Sequence, residues 1–120
     1  MTFKPMAGKE DQAGGVVWRW KDSDSYYVAR ANALENNVSL YYTERGSRKT
    51  LKYVDAPVTT GQWHTLRVDF TDIKIVVTLD GKRYISIDDS HIAGSGAIGV
   101  WTKADSVTMF KGFNYTRIRP

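Results

Sequence analysis

An all-β fold, an antiparallel two-sheet sandwich of the jelly-roll kind, is the class this sequence predicts, on three observations. Short runs rich in β-branched and aromatic residues recur along the whole chain. Turn chemistry separates them roughly every eight to twelve residues, the spacing of sandwich strands. The longest stretch a helix could claim, Ala31 to Asn37, is too short to carry a domain.

In chain order, the first strong strands are expected from Val16 to Trp20, Tyr26 to Arg30 and Val38 to Tyr42. The segment Asp22-Ser23-Asp24-Ser25 reads as the first turn between them, and the polar stretch ending in Asn36-Asn37 as the second. Further strands are expected at Thr50 to Val54, Trp63 to Phe70, Ile73 to Leu79, Tyr84 to Ile87, Ile98 to Trp101 and Val107 to Ile118. Asp80-Gly81 between two of these runs is a hairpin signal, because a type I′ turn needs positive φ at both central residues. Alternation sets Leu66, Val68 and Phe70 against Thr65, Arg67 and Asp69, and Ile73, Ile75, Val77 and Leu79 against Lys74 and Thr78. Such strands bury one face and wet the other.

The 120 residues, 42% hydrophobic and 25% charged, make one domain spanning residues 1–120. With no cysteine, a disulfide scaffold, a thiol nucleophile and a Cys-based metal site are all excluded. Apolar runs are too short for a membrane-spanning helix, and Met1-Thr2-Phe3-Lys4-Pro5 lacks the apolar centre of a signal peptide. Seventeen Lys and Arg against thirteen Asp and Glu leave a net charge of +4. Arg45, Arg48, Lys49 and Lys52 flank Gly46-Ser47, which reads as a solvated hairpin tip, and no nucleic-acid-binding motif accompanies them.

The first three strong strands carry the sharpest functional pattern. With Val16, Trp18 and Trp20 turned inward, Val17, Arg19 and Lys21 face out. The second strand turns Tyr27, Ala29 and Ala31 inward and Tyr26, Val28, Arg30 and Asn32 outward. The third turns Val38, Leu40 and Tyr42 inward and Ser39, Tyr41 and Thr43 outward. A meander about the Asp22–Ser25 turn is then expected to bring Arg19 near Arg30, a like-charge contact that an anionic or hydroxyl-rich ligand would relieve. Guanidinium groups beside aromatic rings supply the planar donors and the stacking face that sugar or acid recognition needs. The competing reading has both arginines solvated, their stems lying on Tyr26 and Tyr41. Trp18, Trp20 and Trp63 are expected in the core.

His64, on a core strand, reads as a packed and hydrogen-bonded imidazole. His91 stands in a loop, and the chain offers too few nitrogen and sulfur ligands for a transition-metal site. Asp22, Asp24, Asp88 and Asp89 could ligate calcium with the help of carbonyls, but no twelve-residue ligand loop is present and such residues usually form turns. Neither a metal nor any other cofactor is expected.

Four segments carry a family resemblance: Gly61-Gln62-Trp63-His64-Thr65-Leu66-Arg67-Val68, Leu79-Asp80-Gly81-Lys82, Gly96-Ala97-Ile98-Gly99-Val100-Trp101-Thr102 and Asp105-Ser106-Val107-Thr108-Met109-Phe110. With Ala13 to Arg19 and Asp24 to Val28 upstream, they resemble the concanavalin A-like lectin/glucanase jelly roll. The nearest branch is the bacterial 3-keto-disaccharide hydrolase-like group with its laminin G-like relatives. The resemblance covers Phe3 to Ile118 and is specific for fold rather than activity. It implies a ligand site on the concave sheet, made here of Arg19, Tyr26, Arg30, Asn32 and Tyr41, with Trp101 and Lys103 closing the rim. It also implies a periplasmic or extracellular setting.

The E-x-D-x-E strand of the glucanase members is missing. Glu10, Glu35 and Glu44 fall on expected loops or strand ends, so no carboxylate pair for glycosidase chemistry is in view. A binding module for a sugar or related polar ligand, without turnover, is the first expectation. A 3-keto-glycoside hydrolase-type domain and a structural or adhesion domain of a larger secreted protein are the alternatives. The resemblance further implies that the family's first strands are lacking. The last strand, around Phe113 to Ile118, is then expected to expose an edge that pairs with a second copy as a homodimer.

Overall fold

Alternation along the segment His64–Thr71 makes a strand that buries one face. The strands Ala13–Asp22, Ser25–Asn32 and Asn37–Glu44 instead carry consecutive buried residues and cover both of their faces, and two sheets pack inner face to inner face. The computed structural model describes residues 1–8, 12–92, 94, 96–102 and 107–112. Among them it forms two five-stranded antiparallel sheets and no helix. The first has the order β10-β1-β6-β7-β8, built from β10 (Val107–Lys111), β1 (Thr2–Ala7), β6 (His64–Thr71), β7 (Lys74–Leu79) and β8 (Lys82–Asp88). The second has the order β5-β4-β3-β2-β9, built from β5 (Ser47–Asp55), β4 (Asn37–Glu44), β3 (Ser25–Asn32), β2 (Ala13–Asp22) and β9 (Ala97–Trp101). The expected fold class is therefore the observed one. Of the last expected strand, the part from Phe113 to Ile118 lies outside the described residues.

The two inner faces interdigitate. Trp18, Tyr27, Ala29, Leu40 and Tyr42 from the second sheet meet Phe3, Leu66, Ile75, Val77, Leu79 and Ile85 from the first. Trp18 is fully buried and stacks between Tyr27 at 5.3 Å and Phe70 at 5.7 Å, so one indole joins the sheets. Asp80 and Gly81 have φ of 50° and 81°, the left-handed pair that a two-residue type I′ hairpin requires. Asp80 also accepts from the buried His64, whose Nδ1 stands 2.6 Å from Oδ2 while Nε2 reaches the Thr59 carbonyl at 2.9 Å. His64 is thus the packed, hydrogen-bonded imidazole its position implied.

Three expectations are corrected. Ile73 falls in the β6–β7 turn, not on β7, and is exposed. Trp63 precedes β6 and is 37% exposed, with the Lys4 ammonium 5.8 Å from its ring. Trp20, also 37% exposed, leaves the core because β2 bulges just before it. Arg19 takes φ 52°, and the pairing of β2 with both neighbours slips at this point. The slip against β9 inserts one extra residue, which reverses the alternation there, so Trp20 turns to the outer face and stacks on Tyr26 at 4.8 Å. Gly96 seats the bulge: a Cβ there would stand 2.5 to 2.7 Å from the backbone of Arg19 and Trp20.

Candidate functional site

Strand register separates the two arginines expected to meet, setting Arg19 four residues along β2 from the partner of Arg30. Gly15, not Arg19, is the β2 partner of Arg30, and Ser39 is its β4 partner. Arg19 turns toward the other sheet, where Nη2 donates to the Asp72 carbonyl at 2.9 Å and Nη1 to the Gly94 carbonyl at 3.2 Å. Its guanidinium lies 5.5 Å from the centre of the Phe70 ring. Arg19 therefore joins the second sheet to the β6–β7 turn and to the loop before β9, and no like-charge contact with Arg30 exists.

The outer face of the second sheet has a cluster of its own, centred on Val17, Val28 and Tyr41 with Tyr26 and Trp101 packed against it. Register explains the grouping. Val28 stands opposite Val17 on one side and Tyr41 on the other, while Trp101 pairs with Gly15. A Cβ on Gly15 would come within 2.8 Å of the Ala29 carbonyl, 3.2 Å of the Trp101 ring and 3.3 Å of the Arg30 Cβ. The missing side chain lets Trp101 and Arg30 close together, and the guanidinium lies 5.8 Å from the indole centre. Arg30 Nε donates to Ser39 Oγ at 3.0 Å, which fixes the plane of the fork.

Arg48 completes the group. Sequence reasoning assigned it to a solvated hairpin tip, but the turn is Arg45-Gly46, and β5 carries Arg48 back to pair with Thr43. Its guanidinium sits 5.1 Å from the Tyr41 ring, which in turn meets Trp101 edge to face at 5.9 Å. Tyr41 is only 4% exposed, so its ring is a seat for Arg48 and Trp101, not a surface for a ligand to stack on. Burial pushes its phenol up to about 12, against the opposing pull of Arg30 and Arg48, so the hydroxyl stays neutral between two cations. The aromatic surface open to solvent on this face belongs to Trp20, Tyr26 and Trp101, with Tyr53 on β5 opposite Ser39.

Asn32 shares this face but is fully buried and serves the backbone. Its Oδ1 accepts from the amides of Gln12 at 3.1 Å and Leu34 at 3.0 Å, shaping the β3–β4 turn. The structure therefore brings Tyr26, Arg30, Tyr41 and Trp101 together, removes Arg19 to the sheet–sheet junction and keeps Asn32 as a turn former. Lys103 and Glu10 lie outside the described residues. Sequence reasoning missed Gly15, Arg48 and Trp20 as members of this face. A β2 bulge was the signal needed for Trp20, and a hairpin tip one residue earlier for Arg48.

The loop carboxylates have ordinary occupations. Asp22 accepts from the Asp24 amide at 2.7 Å within the β2–β3 turn. Asp89 accepts from the Tyr27 hydroxyl at 2.6 Å and pairs with His91 Nδ1 at 2.7 Å, while His91 stacks on Tyr42 at 4.1 Å. Burial alone would raise the Asp89 carboxyl, but the hydrogen bonds from Tyr27 and His91 outweigh it and hold it below the usual range. Burial and the Asp89 contact push Tyr27 up to about 12. This set ties the loop after β8 to the inner face of the second sheet.

The chain matches no protein-family model and no characterised protein sequence. In structure it is similar to the carbohydrate-binding module CBM66 from Bacillus subtilis, with a TM-score of 0.78 at 21% sequence identity. The match covers 89% of this chain and 66% of that one, so the chain spans just under two-thirds of the length of the solved structure. At this identity the likeness establishes a shared β-sandwich fold.

Proposed function

We propose that this protein is a carbohydrate-binding module that holds a saccharide on the outer face of the β5-β4-β3-β2-β9 sheet without turning it over. One observation carries the reading: a guanidinium fork, Arg30, is oriented by Ser39 and packed beside a partly exposed indole, Trp101. Sugars present flat C–H faces and rings of hydroxyls, and a fixed planar donor next to an aromatic surface answers both. The fold shared with a carbohydrate-binding module supports it, as does the jelly-roll lectin resemblance of the strand motifs.

Calorimetric titration against a panel of neutral and acidic oligosaccharides tests the proposal. Binding by the native chain that disappears in Arg30→Ala and in Trp101→Ala, with both variants folded by circular dichroism, is the expected result. Binding that survives both changes would move the site elsewhere, and release of reducing sugar during the titration would favour the hydrolase reading.

A further inference from the structure

Resting on the carbohydrate reading, we propose that the saccharide held here is acidic, a uronide whose carboxylate is received by Arg30 and Arg48. Both cations come to the outer face by strand register: Arg30 is opposite Ser39, and Arg48 is opposite Thr43. Each is packed on an aromatic ring, Arg30 on Trp101 and Arg48 on Tyr41, and those two rings touch edge to face. The guanidinium groups are thus set against apolar surface, where a charge-assisted hydrogen bond is stronger than in open water.

The neutral phenol of Tyr41 lies within electrostatic reach of both cations and adds no negative charge between them. At one end of the sheet Asp55 shares the row of Asn32 and Asn37, and Glu35 lies in the turn beyond it. Glu35 is engaged there by the Asn37 amide at 2.8 Å. Glu44, Asp22 and Asp24 lie at the opposite end, so Arg30 and Arg48 stand between two ends that both carry carboxylates. A neutral sugar would use its hydroxyl contacts alone, whereas a carboxylate also gains the attraction of two guanidinium charges.

Titration of the full chain with oligogalacturonate and oligoglucuronate, each beside its carboxyl-reduced neutral counterpart, tests the assignment. At least one uronide should bind about tenfold or more tighter than its reduced partner at low ionic strength, since a hydrogen-bonded charge pair is worth at least that ratio. Raising the salt should shrink the ratio. Arg48→Gln, at an exposed position, should bring the ratio close to one while the fold is retained. Equal affinity for the uronides and their reduced partners, or an Arg48→Gln ratio unchanged from the native chain, would overturn the acidic assignment and leave the carbohydrate reading in place. No binding by any acidic or neutral saccharide would overturn both.

Discussion

The two faces of the second sheet are both aromatic and both largely buried, yet they are built for different ends. On the inner face, Trp18, Tyr27 and Tyr42 pack ring against ring and against the aliphatic side chains of the other sheet. On the outer face, Tyr41 and Trp101 also touch, but what covers them is a pair of guanidinium groups. Inner rings exclude water and are replaced only at the expense of a cavity. Outer rings hold guanidinium groups in place at the border between the sheet and solvent. Burial of an aromatic side chain is thus no guide to its role until the neighbour on its open side is known.

The sharpest way to break this contrast is to truncate one ring on each face. Trp18→Ala removes the indole that joins the sheets and should cost about 3–5 kcal/mol of stability, with unfolding by urea as the readout. Trp101→Ala, at the half-exposed rim, should cost far less stability and abolish ligand binding. If both changes destabilise equally, the outer cluster is core by another name.

The two arginines of the middle strands offer the next test. Arg19→Ala loses two hydrogen bonds to carbonyls of the opposite sheet and loop, and should cost about 1–2 kcal/mol while binding persists. Arg30→Ala should eliminate binding, with a stability cost of about 1 kcal/mol for the hydrogen bond lost to Ser39. Denaturant melts and calorimetry on the same two variants decide the matter, and a reversed pattern would refute the placement of the site.

A tyrosine on each face sharpens the comparison through pH. Tyr27 on the inner face and Tyr41 on the outer both have phenols raised to about 12. The folded state favours the neutral phenol, so this stabilisation is complete below the ordinary tyrosine value near pH 10. It is lost as pH climbs from about 10 to 12. Absorbance at 295 nm should show Tyr27 and Tyr41 titrating late, together with loss of β-sheet circular dichroism. Tyr42, which burial and Asp89 also push up, should titrate late beside them. Tyr27→Phe should remove one of these late phenols and leave the rest.

The smallest effect expected is on the acid side. The depressed Asp89 carboxyl contributes stability that is present above the ordinary carboxylate range near pH 4 and fades as pH falls through its lowered value. Asp89→Asn should lose that contribution at neutral pH, where the Tyr27 and His91 contacts are weakened, and should flatten the stability profile below pH 4, as measured by thermal melts.

Most strands were legible because alternation is a local property: Leu66 and Leu79, or Val38 and Leu40, declare their inward direction within a few residues of themselves. In contrast, β1, Thr2–Ala7, was not among the strands expected. Trp18-Arg19-Trp20 reads just as cleanly and misleads, since the bulge that turns Trp20 outward is seated by Gly96, far along the chain. Arg48 was hidden by a different nonlocal fact, that β5 pairs with β4 tightly enough to lay it over Tyr41. Of the expected site residues, Tyr26, Arg30, Tyr41 and Trp101 share the face because β3 and β4 pair in unbroken register and Trp101 pairs with Gly15 on the regular part of β2. The position of Asn32 at the end of β3 was visible, but the amides of Gln12 and Leu34 that claim its side chain were not.

The central claim is that ligand meets the outer face of the second sheet around Arg30 and Trp101, and proton–nitrogen correlation spectra recorded during an oligosaccharide titration test it most directly. The indole N–H of Trp101 and the Nε–H of Arg30 should shift progressively and saturate together, while the indole signals of Trp18 and Trp63 stay fixed. Shifts centred on Trp63 and the outer face of the first sheet, with Arg30 and Trp101 unmoved, would contradict the account.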